Sequence, residues 1–246
     1  MQNTKQTNTL KARLITLGFL IILSVLALSL LSCSSKKSTE NGSLELLNVG
    51  DTISFGPHQW QVLDVKSDRA LIITTRSITE MRFCPDQNHI YPVLFSWENS
   101  EVRKYLQAHL ASNAFSNEER ARAIEVLNPV ERNPYYDSYM HGQTNDKIFL
   151  LSAAEVVQYF GDSGQLGTSR YVDDQYNANR LIQHSTINEN HSWWLRTPGG
   201  NPSNRRFRAA VYYNGVIDLY GLPSSDTPDY PGNTRPGVRP AMWIKL

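Results

Sequence analysis

The chain has 246 residues, of which 40% are hydrophobic, and a chain of this length can bury one substantial core. Three of its 24 basic residues and none of its 23 acidic residues lie in the first 32 positions. The remainder therefore holds 21 basic against 23 acidic residues, a formal net charge of −2. This balance excludes a strong general attraction to nucleic acid, so we expect no nucleic-acid partner.

The first 32 residues have the organisation of an export signal. Three basic residues precede an apolar run from Leu14 to Leu31, and no acidic residue occurs before Glu40. A basic n-region, an apolar h-region and a small residue before the cut are typical of such signals. Because Cys33 follows directly, the segment resembles a bacterial lipoprotein signal with its lipobox. The resemblance implies cleavage after residue 32 and lipidation of Cys33.

A lipid on Cys33 implies both a partner and a location. The membrane becomes a partner through the acyl chains, and the protein belongs to the cell envelope. Ser34 is not the aspartate that commonly retains lipoproteins at the inner membrane. We therefore expect the outer membrane or, in a one-membrane bacterium, the outer face of the plasma membrane. The alternatives are ordinary secretion and an uncleaved anchor, because 18 mostly apolar residues can just span a bilayer.

Behind the signal, residues 33–43 are small and polar, which predicts a flexible tether. A single globular domain then extends over residues 44–246. Lipidation of Cys33 leaves Cys84 as the only thiol, so no intramolecular disulfide, paired-cysteine redox site or cysteine-rich zinc site can form. We expect Cys84 to be a small core residue rather than a nucleophile.

The domain begins with three segments of β character, separated by turn-like breaks. They are Asp51–Phe55, His58–Asp64 and Arg69–Thr75, and together they predict an antiparallel meander. A helix is predicted over Ser100–Leu110 by its apolar face. Capping-box spacing at Ser116 and at Ser152 predicts two more helices, which reach about Glu125 and Phe160.

The remaining segments return to β character. Lys147–Leu151 is predicted to be a buried strand, and Ser192–Arg196 a short one. Asn214–Gly215 predicts a hairpin with a two-residue turn, which pairs residue 213 with 216 and residue 211 with 218. Gly237–Leu246 is predicted to be a closing strand that lies inside the main sheet. Strands at both ends with helices between them indicate an α+β domain.

Five ordered motifs then carry a family resemblance. They are Trp60–Asp64; Trp97 with Ser100, Arg103 and Leu106; Phe149–Ser152 with Glu155; Trp193–Arg196; and Gly237–Ala241. The set resembles a bacterial domain of unknown function, of the DUF6273 type, that recurs in secreted and surface proteins. More distantly, the last two motifs resemble the closing elements of C-type-lectin-like folds and formylglycine-generating enzymes. The resemblance implies a C-type-lectin-like α+β fold with antiparallel sheets, a few short helices and long loops, and no particular activity.

The sequence lacks the residues with which members of these families bind cofactors or carry out catalysis. Formylglycine-generating enzymes use a cysteine pair, and related iron enzymes use a histidine cluster. The six histidines here show no i,i+4 pair and no H-x-H spacing: His58, His89, His109, His141, His184 and His191. The calcium motifs of sugar-binding lectins are also missing. We therefore expect no cofactor, no metal and no catalytic residue.

Two further motifs allow a catalytic reading. Gly161–Gly164 resembles the nucleophile motif of trypsin-like proteases, but it directly follows a predicted helix, where glycine acts as a terminator. Asp173–Asp174 and the loop 224–229 offer carboxylates for calcium or for a glycosidase pair. Carboxylates in loops rich in proline and glycine more often form turns, and we favour that interpretation.

Aromatic side chains are the candidate ligand contacts. Trp193 and Trp194 are adjacent on a strand and point to opposite faces, so one of them could form a stacking platform unless a loop covers it. The candidate ligand-binding residues are Trp194, Tyr135, Tyr139, Tyr220 and Tyr230. We expect Arg196 and Arg239 to anchor loops rather than to contact ligand, although both roles are open.

The expected function is a non-catalytic binding or structural role in a lipid-anchored protein at the cell surface or in the periplasm. Its partner would be a glycan or a protein of the envelope. The alternative is an envelope polysaccharide hydrolase that uses paired carboxylates.

Overall fold

The computed structural model describes residues 47–84, 96–136, 142–200, 207–224 and 235–246. The predicted signal, Cys33 and the tether lie outside these residues. A compact unit begins at Leu44 and continues to the C-terminus. Within the described residues, no helix combines the length and the apolar character that crossing a membrane requires.

The three predicted N-terminal strands form the expected antiparallel meander. Strand β1 (Thr52–Phe55) pairs with β2 (His58–Val65), which pairs with β3 (Arg69–Thr74). Gly56 makes the first turn with a φ of 56°, and a Cβ there would lie 2.3 Å from the ring of Phe115. Glycine at this turn therefore permits both the left-handed backbone and the close packing of Phe115.

Each of the three predicted helices begins directly after a serine N-cap. In α1 (Glu101–Ala111) the Ser100 hydroxyl accepts the backbone N–H of residue 103. Both predicted capping boxes are present, at the starts of α2 (Asn117–Arg122) and α3 (Ala153–Phe160). Helix α2 ends three residues before the predicted end, because the chain enters a strand at residue 123. A fourth helix, α4 (Asn177–Arg180), is short.

The other strands are β4 (Thr79–Glu80), β5 (Ala123–Ile124), β6 (Val126–Asn128), β7 (Thr144–Asp146), β8 (Tyr171–Val172), β9 (Trp193–Pro198), β10 (Phe207–Val211), β11 (Ile217–Pro223), β12 (Gly237–Val238) and β13 (Ala241–Lys245). They build a five-stranded sheet in the order β1-β2-β3-β13-β5 and a six-stranded sheet in the order β4-β12-β9-β10-β11-β8. A small β6–β7 sheet completes the described part. Most pairs are antiparallel, and β12–β9 is parallel. The architecture is thus mostly antiparallel sheet with a few short helices, in keeping with an α+β or mainly β domain.

The predicted closing strand is divided between the two large sheets. Its first part, β12, pairs with β4 and β9, whereas its second part, β13, lies between β3 and β5. Pro240 lies between the two parts, and a proline cannot donate a ladder hydrogen bond. The prediction of one continuous strand is therefore wrong, although β13 is an interior strand as expected.

Two other strand predictions need correction. Residues 148–151 are buried as expected, but they form no strand and make only a single bridge, from Phe149 to Ala241. The hairpin register is shifted by one residue, so that Val211 pairs with Ile217. The turn contains three residues rather than two, and Gly215 occupies its last position with a φ of 86°. This arrangement is the three-residue loop that ends in a left-handed residue.

Candidate functional site

Trp194 is not a stacking platform. Trp193 and Trp194 are both 0% exposed, because β9 is an interior strand with side chains packed on both of its faces. The Trp194 indole N–H donates to the carbonyl oxygen of Met81 at 2.9 Å, and its ring packs edge-on against Phe83. Trp194 is therefore covered by other residues, and both tryptophans belong to the core.

Tyr135 and Tyr220 belong to one continuous group of aromatic rings. Tyr135, which is 43% exposed, contacts Tyr136 edge-on with ring centroids 4.8 Å apart. Tyr136 in turn contacts Tyr220, with centroids 5.9 Å apart. Phe207 supports Tyr220 from the core side. Burial raises the pKa of the Tyr136 hydroxyl, so this side chain stays neutral at physiological pH.

Arg170 extends the ring group to Tyr171. Its guanidinium carbon lies 4.6 Å from the ring centroids of both Tyr171 and Tyr220, which is cation–π distance. The guanidinium also binds the buried carboxylate of Asp218, at 3.2 Å from Nε. We call Tyr135, Tyr136, Arg170, Tyr171 and Tyr220 the tyrosine surface.

Asn133 holds Tyr135 and Tyr136 against strands β9 and β11. Its side-chain amide donates to the carbonyl oxygens of Pro198 and Leu219, and its side-chain oxygen accepts the N–H groups of Tyr135 and Tyr136. All four bonds are made by a residue that is 1% exposed. Tyr135 and Tyr136 are therefore attached to the last residue of β9 and to the third residue of β11 through a buried side chain.

Glycine at position 200 allows Tyr136 to approach the backbone. A Cβ there would lie 2.2 Å from the Tyr136 ring, so any larger residue would displace it. Tyr139 and Tyr230, the other predicted ligand contacts, lie outside the described residues. Of the predicted set, the structure thus brings together Tyr135 and Tyr220, and it adds Tyr136, Tyr171 and Arg170.

A second group of polar side chains was not anticipated from the sequence. Glu80, His184 and His191 each direct one potential metal-ligand atom into a common space, and these atoms lie within 4.8 Å of one another. All three residues are partly exposed. Burial alone would raise the pKa of Glu80, but hydrogen bonds from Ser185 and Ser77, together with His184, hold it below its ordinary value. No sequence spacing signals this cluster, since Glu80 precedes the histidines by more than 100 positions.

Comparison with known proteins identifies the family. A family model described as "Domain of unknown function (DUF6273)" matches residues 70–246, well over half of the chain. The chain belongs to the DUF6273 family. No curated protein and no solved structure matches it.

The motif residues of this DUF6273 domain contribute to buried polar networks. Trp97 and Arg103 both donate to the carboxylate of Asp146, which is 1% exposed. Asp146 also accepts bonds from Gln107, Asn128 and Thr144. Asp146 was missed in the sequence because a single acidic residue at the end of a polar strand carries no recognisable signal.

Arg196 and Arg239 are bound within the protein, as expected. Arg196 makes ion pairs with Glu131 and Glu155, and the latter also caps α3. Arg239 is 2% exposed, lies between the rings of Phe160 and Trp193, and donates from Nε to the carbonyl oxygen of Thr74. Neither side chain presents a surface to a ligand.

The remaining catalytic interpretations find no support among the residues that the structure describes. Ser163 donates to Asp174, which also receives bonds from Arg180 and the backbone of Tyr176, so this segment is a hydrogen-bonded turn. Gly161 ends α3 as a cap with a φ of 120°, as expected for a helix terminator. Burial raises the pKa of Cys84 to about 12, so its thiol is protonated and a poor nucleophile. Asp226 and Asp229 of the loop 224–229 lie outside the described residues.

Proposed function

We propose that this DUF6273 protein is a lipid-anchored, non-catalytic binding protein of the cell envelope, and that the tyrosine surface contacts its ligand. The observation that carries this proposal is the continuous series of contacts from the exposed ring of Tyr135 through Tyr136 to Tyr220 and Arg170. An envelope glycan is the ligand class that this chemistry favours.

Tyrosine rings suit a glycan for a physical reason. Each ring offers a rigid apolar face and a polar hydroxyl, and little side-chain entropy is lost when a ligand covers it. The apolar faces of sugar rings can stack on such groups while hydroxyls bond to neighbouring polar atoms. The guanidinium of Arg170, whose side chain is 39% exposed, supplies charged donors beside the rings. No dedicated nucleophile is needed for this role.

The lectin-like fold is part of the same proposal. The two motifs that carry this resemblance lie on β9 and on the β12–β13 crossing between the large sheets. The meander and β13 place the first and last described strands in one sheet. Tyr171 and Tyr220 lie on strands β8 and β11 of the six-stranded sheet, and the segment after β6 carries Tyr135 and Tyr136, so a rigid scaffold presents the tyrosines.

Replacing Tyr135 with alanine tests the binding surface. We expect Tyr135→Ala, in the full-length protein in detergent micelles, to weaken binding to purified envelope polysaccharide at least about tenfold, the loss of one well-placed aromatic contact. Tyr213→Ala is the matched control, because Tyr213 is 64% exposed on the β10–β11 turn and lies outside the tyrosine surface. Equal binding by wild-type protein and both variants would contradict the proposal.

The same assay addresses the hydrolase alternative. Glu131 and Glu155 share Arg196, and burial raises the pKa of Glu131, which is a property of general acids. Release of sugar fragments by the wild-type protein, abolished in Glu131→Gln, would establish hydrolysis. We expect the polysaccharide to be recovered intact.

A further inference from the structure

Glu80, His184 and His191 come together from strand β4 and from the segment that precedes β9. Glu80 ends β4, and the two histidines flank a loop that a bridge between Gln183 and Asn190 closes. The His184 N–H donates to the carbonyl oxygen of Glu189 across this loop. The loop thus returns the second histidine beside the first, with ring centroids 4.8 Å apart.

Arg76 keeps the loop in this shape. Its guanidinium donates to the carbonyl oxygens of His184 and Ile187 and to the side-chain oxygen of Asn188. Three acceptors on one loop hold it in place before any ion arrives. A site built on such a loop loses little entropy when it binds a metal.

The carboxylate of Glu80 is oriented by neighbouring donors. Its Oε1 accepts the Ser77 hydroxyl at 2.8 Å and the Ser185 N–H at 2.9 Å, while its Oε2 accepts the Ser185 hydroxyl at 2.7 Å. Metal-binding carboxylates commonly receive such outer hydrogen bonds, which fix their direction. A carboxylate has about four lone-pair positions, so these three bonds leave Oε2 able to accept one more partner.

The hydrogen bond of His191 shows which ring nitrogen carries the proton in the neutral form. Its Nε2 lies 3.0 Å from the carbonyl oxygen of Arg235, and a carbonyl can only accept, so Nε2 carries the proton. The lone pair of neutral His191 is therefore on Nδ1. A ring nitrogen tied to a backbone carbonyl, with the other nitrogen left for the ion, is the usual arrangement of metal-binding histidines.

His184 can present its Nε2 after one proton relocation. Nε2 lies 3.5 Å from Glu80 Oε1, whereas Nδ1 accepts the backbone N–H of Thr186 at 3.2 Å and lies 3.2 Å from the Thr186 hydroxyl oxygen. With the proton on Nδ1, the bond from the Thr186 N–H is lost, the Thr186 hydroxyl oxygen accepts the Nδ1 proton, and the Nε2 lone pair faces Glu80. Metal binding would select this tautomer.

We propose that Glu80, His184 and His191 bind a divalent transition-metal ion such as zinc. Tetrahedral zinc, with bonds of about 2.0–2.2 Å, separates its donor atoms by roughly 3.3–3.6 Å. His184 Nε2 lies 3.5 Å from Oε1 of the Glu80 carboxylate, and the three donor atoms lie within 4.8 Å of one another, so side-chain rotation brings Oε2 and the two imidazoles to this spacing. Two imidazoles and one carboxylate select zinc or iron(II) over magnesium and calcium, which prefer oxygen ligands.

The proposed site is open on one side. The side chains of His184 and Glu80 are 25% and 17% exposed, so a fourth position faces solvent. Three protein ligands with an open position differ from a closed structural zinc site with four. The site adjoins the start of β9, whereas Tyr136 of the tyrosine surface packs against Gly200, just past the end of β9.

Zinc titration of the full-length protein tests the proposal. The protein is purified in detergent with its affinity tag removed, stripped with a chelator and titrated by calorimetry. We expect one zinc ion per chain. Glu80→Gln and His191→Gln should each weaken zinc affinity by at least about tenfold, the lower bound for losing a group that supports a metal. Cobalt(II) added to the wild-type protein should give the visible absorption bands of imidazole-bound metal.

Glu189→Gln is the matched control, because Glu189 is exposed on the same loop and the substitution removes the same charge. It should bind zinc as the wild-type protein does, and so should Tyr135→Ala, whatever the fate of glycan binding. Circular dichroism without metal checks the fold, and His184→Gln replaces any variant that does not fold. No zinc binding by the wild-type protein, or wild-type affinity in both ligand variants, would overturn the proposal.

Discussion

At the scale of single residues, Asp146 accepts five side-chain hydrogen bonds. Its carboxylate collects donors from α1, β6, β7 and Trp97, so one side chain joins four segments. Burial of a carboxylate is tolerable only when such donors satisfy it. The network explains why Trp97 and Arg103 occur together in the sequence motif.

Replacing the Asp146 carboxylate should destabilise the folded protein. We expect Asp146→Asn to lower the free energy of unfolding by about 2–3 kcal/mol, because a charged acceptor is lost and Arg103 is left without its partner. Urea denaturation measures the change. Asp68→Asn is the control, since the side chain of Asp68 is 76% exposed. A change in Asp146→Asn no larger than that in the control would show that the network contributes little.

His58 and His109 make stability depend on pH. Their Nε2 atoms are 2.8 Å apart. The pKa of His58 is lowered to about 4, first by burial and then by the neighbouring His109, and burial also lowers the pKa of His109. The unfolded chain takes up these protons near pH 6.5, before the folded protein does. Stability is therefore complete above that pH and falls as the pH drops towards 4.

Melting temperatures between pH 7.5 and 5 check this behaviour. Carboxylates titrate mainly below this window, so the histidine pair should dominate the decline. We expect a smaller decline in the double variant His58→Gln, His109→Gln. If the melting temperature of the wild-type protein does not change across the window, the pair has no such role.

At the scale of elements, the β10–β11 hairpin shows how a turn decides a register. Gly215 has a φ of 86°, and a Cβ there would lie 2.0 Å from the backbone oxygen of Asn177. The turn is thus packed against α4. A shift by one residue exchanges the two faces of a strand, so this contact also selects which side chains enter the core.

A comparison of two glycines with similar backbone angles can separate the cost of a left-handed backbone from the cost of steric crowding. Gly164 has a φ of 76°, and a Cβ at this position would have no atom within 4 Å, whereas a Cβ at Gly215 would meet backbone atoms. We expect Gly164→Ala to cost about 1 kcal/mol, the left-handed penalty alone. Gly215→Ala should cost at least about 1 kcal/mol more, because the α4 backbone must also move. Chemical denaturation of both variants measures the difference, and equal losses would show that the turn packs loosely.

At the scale of the whole molecule, the proposed activities depend on where the domain is held. The predicted tether of about 10 residues would reach roughly 15–20 Å from the membrane, enough for the domain to search the nearby envelope. The proposed metal site adjoins the start of β9, and Tyr135 and Tyr136 of the proposed glycan site are bonded through Asn133 to Pro198 at the end of β9.

The anchor itself is testable. Cys33→Ser removes the sulfur that would accept diacylglycerol, so labelled palmitate should no longer be incorporated and the precursor should keep its first 32 residues or be cut elsewhere. Several acyl chains hold a protein firmly, at about 0.8 kcal/mol per buried CH₂, so membrane partition should also be lost. Palmitate labelling that persists in Cys33→Ser would contradict lipidation at this position.

The sequence by itself determined the elements whose bonds are local. Each capping box at Ser116 and Ser152 is closed between residues three apart, and each was predictable from four letters of sequence. The N-terminal meander was predictable for the same reason, since neighbouring strands meet through short turns. Tyr135 and Tyr220 were found as candidates because exposed-type aromatics in loops rich in glycine and proline are conspicuous.

Only the tertiary structure decided the features that depend on distant partners. The burial of Trp194 requires Met81 and Phe83 to pack over its face of β9, and the division of the closing strand requires two sheets to share one segment. The tyrosine surface, the Asp146 network and the Glu80–His184–His191 cluster each join residues from remote parts of the chain. Their geometry follows from sheet order and packing, which no local pattern of side chains encodes.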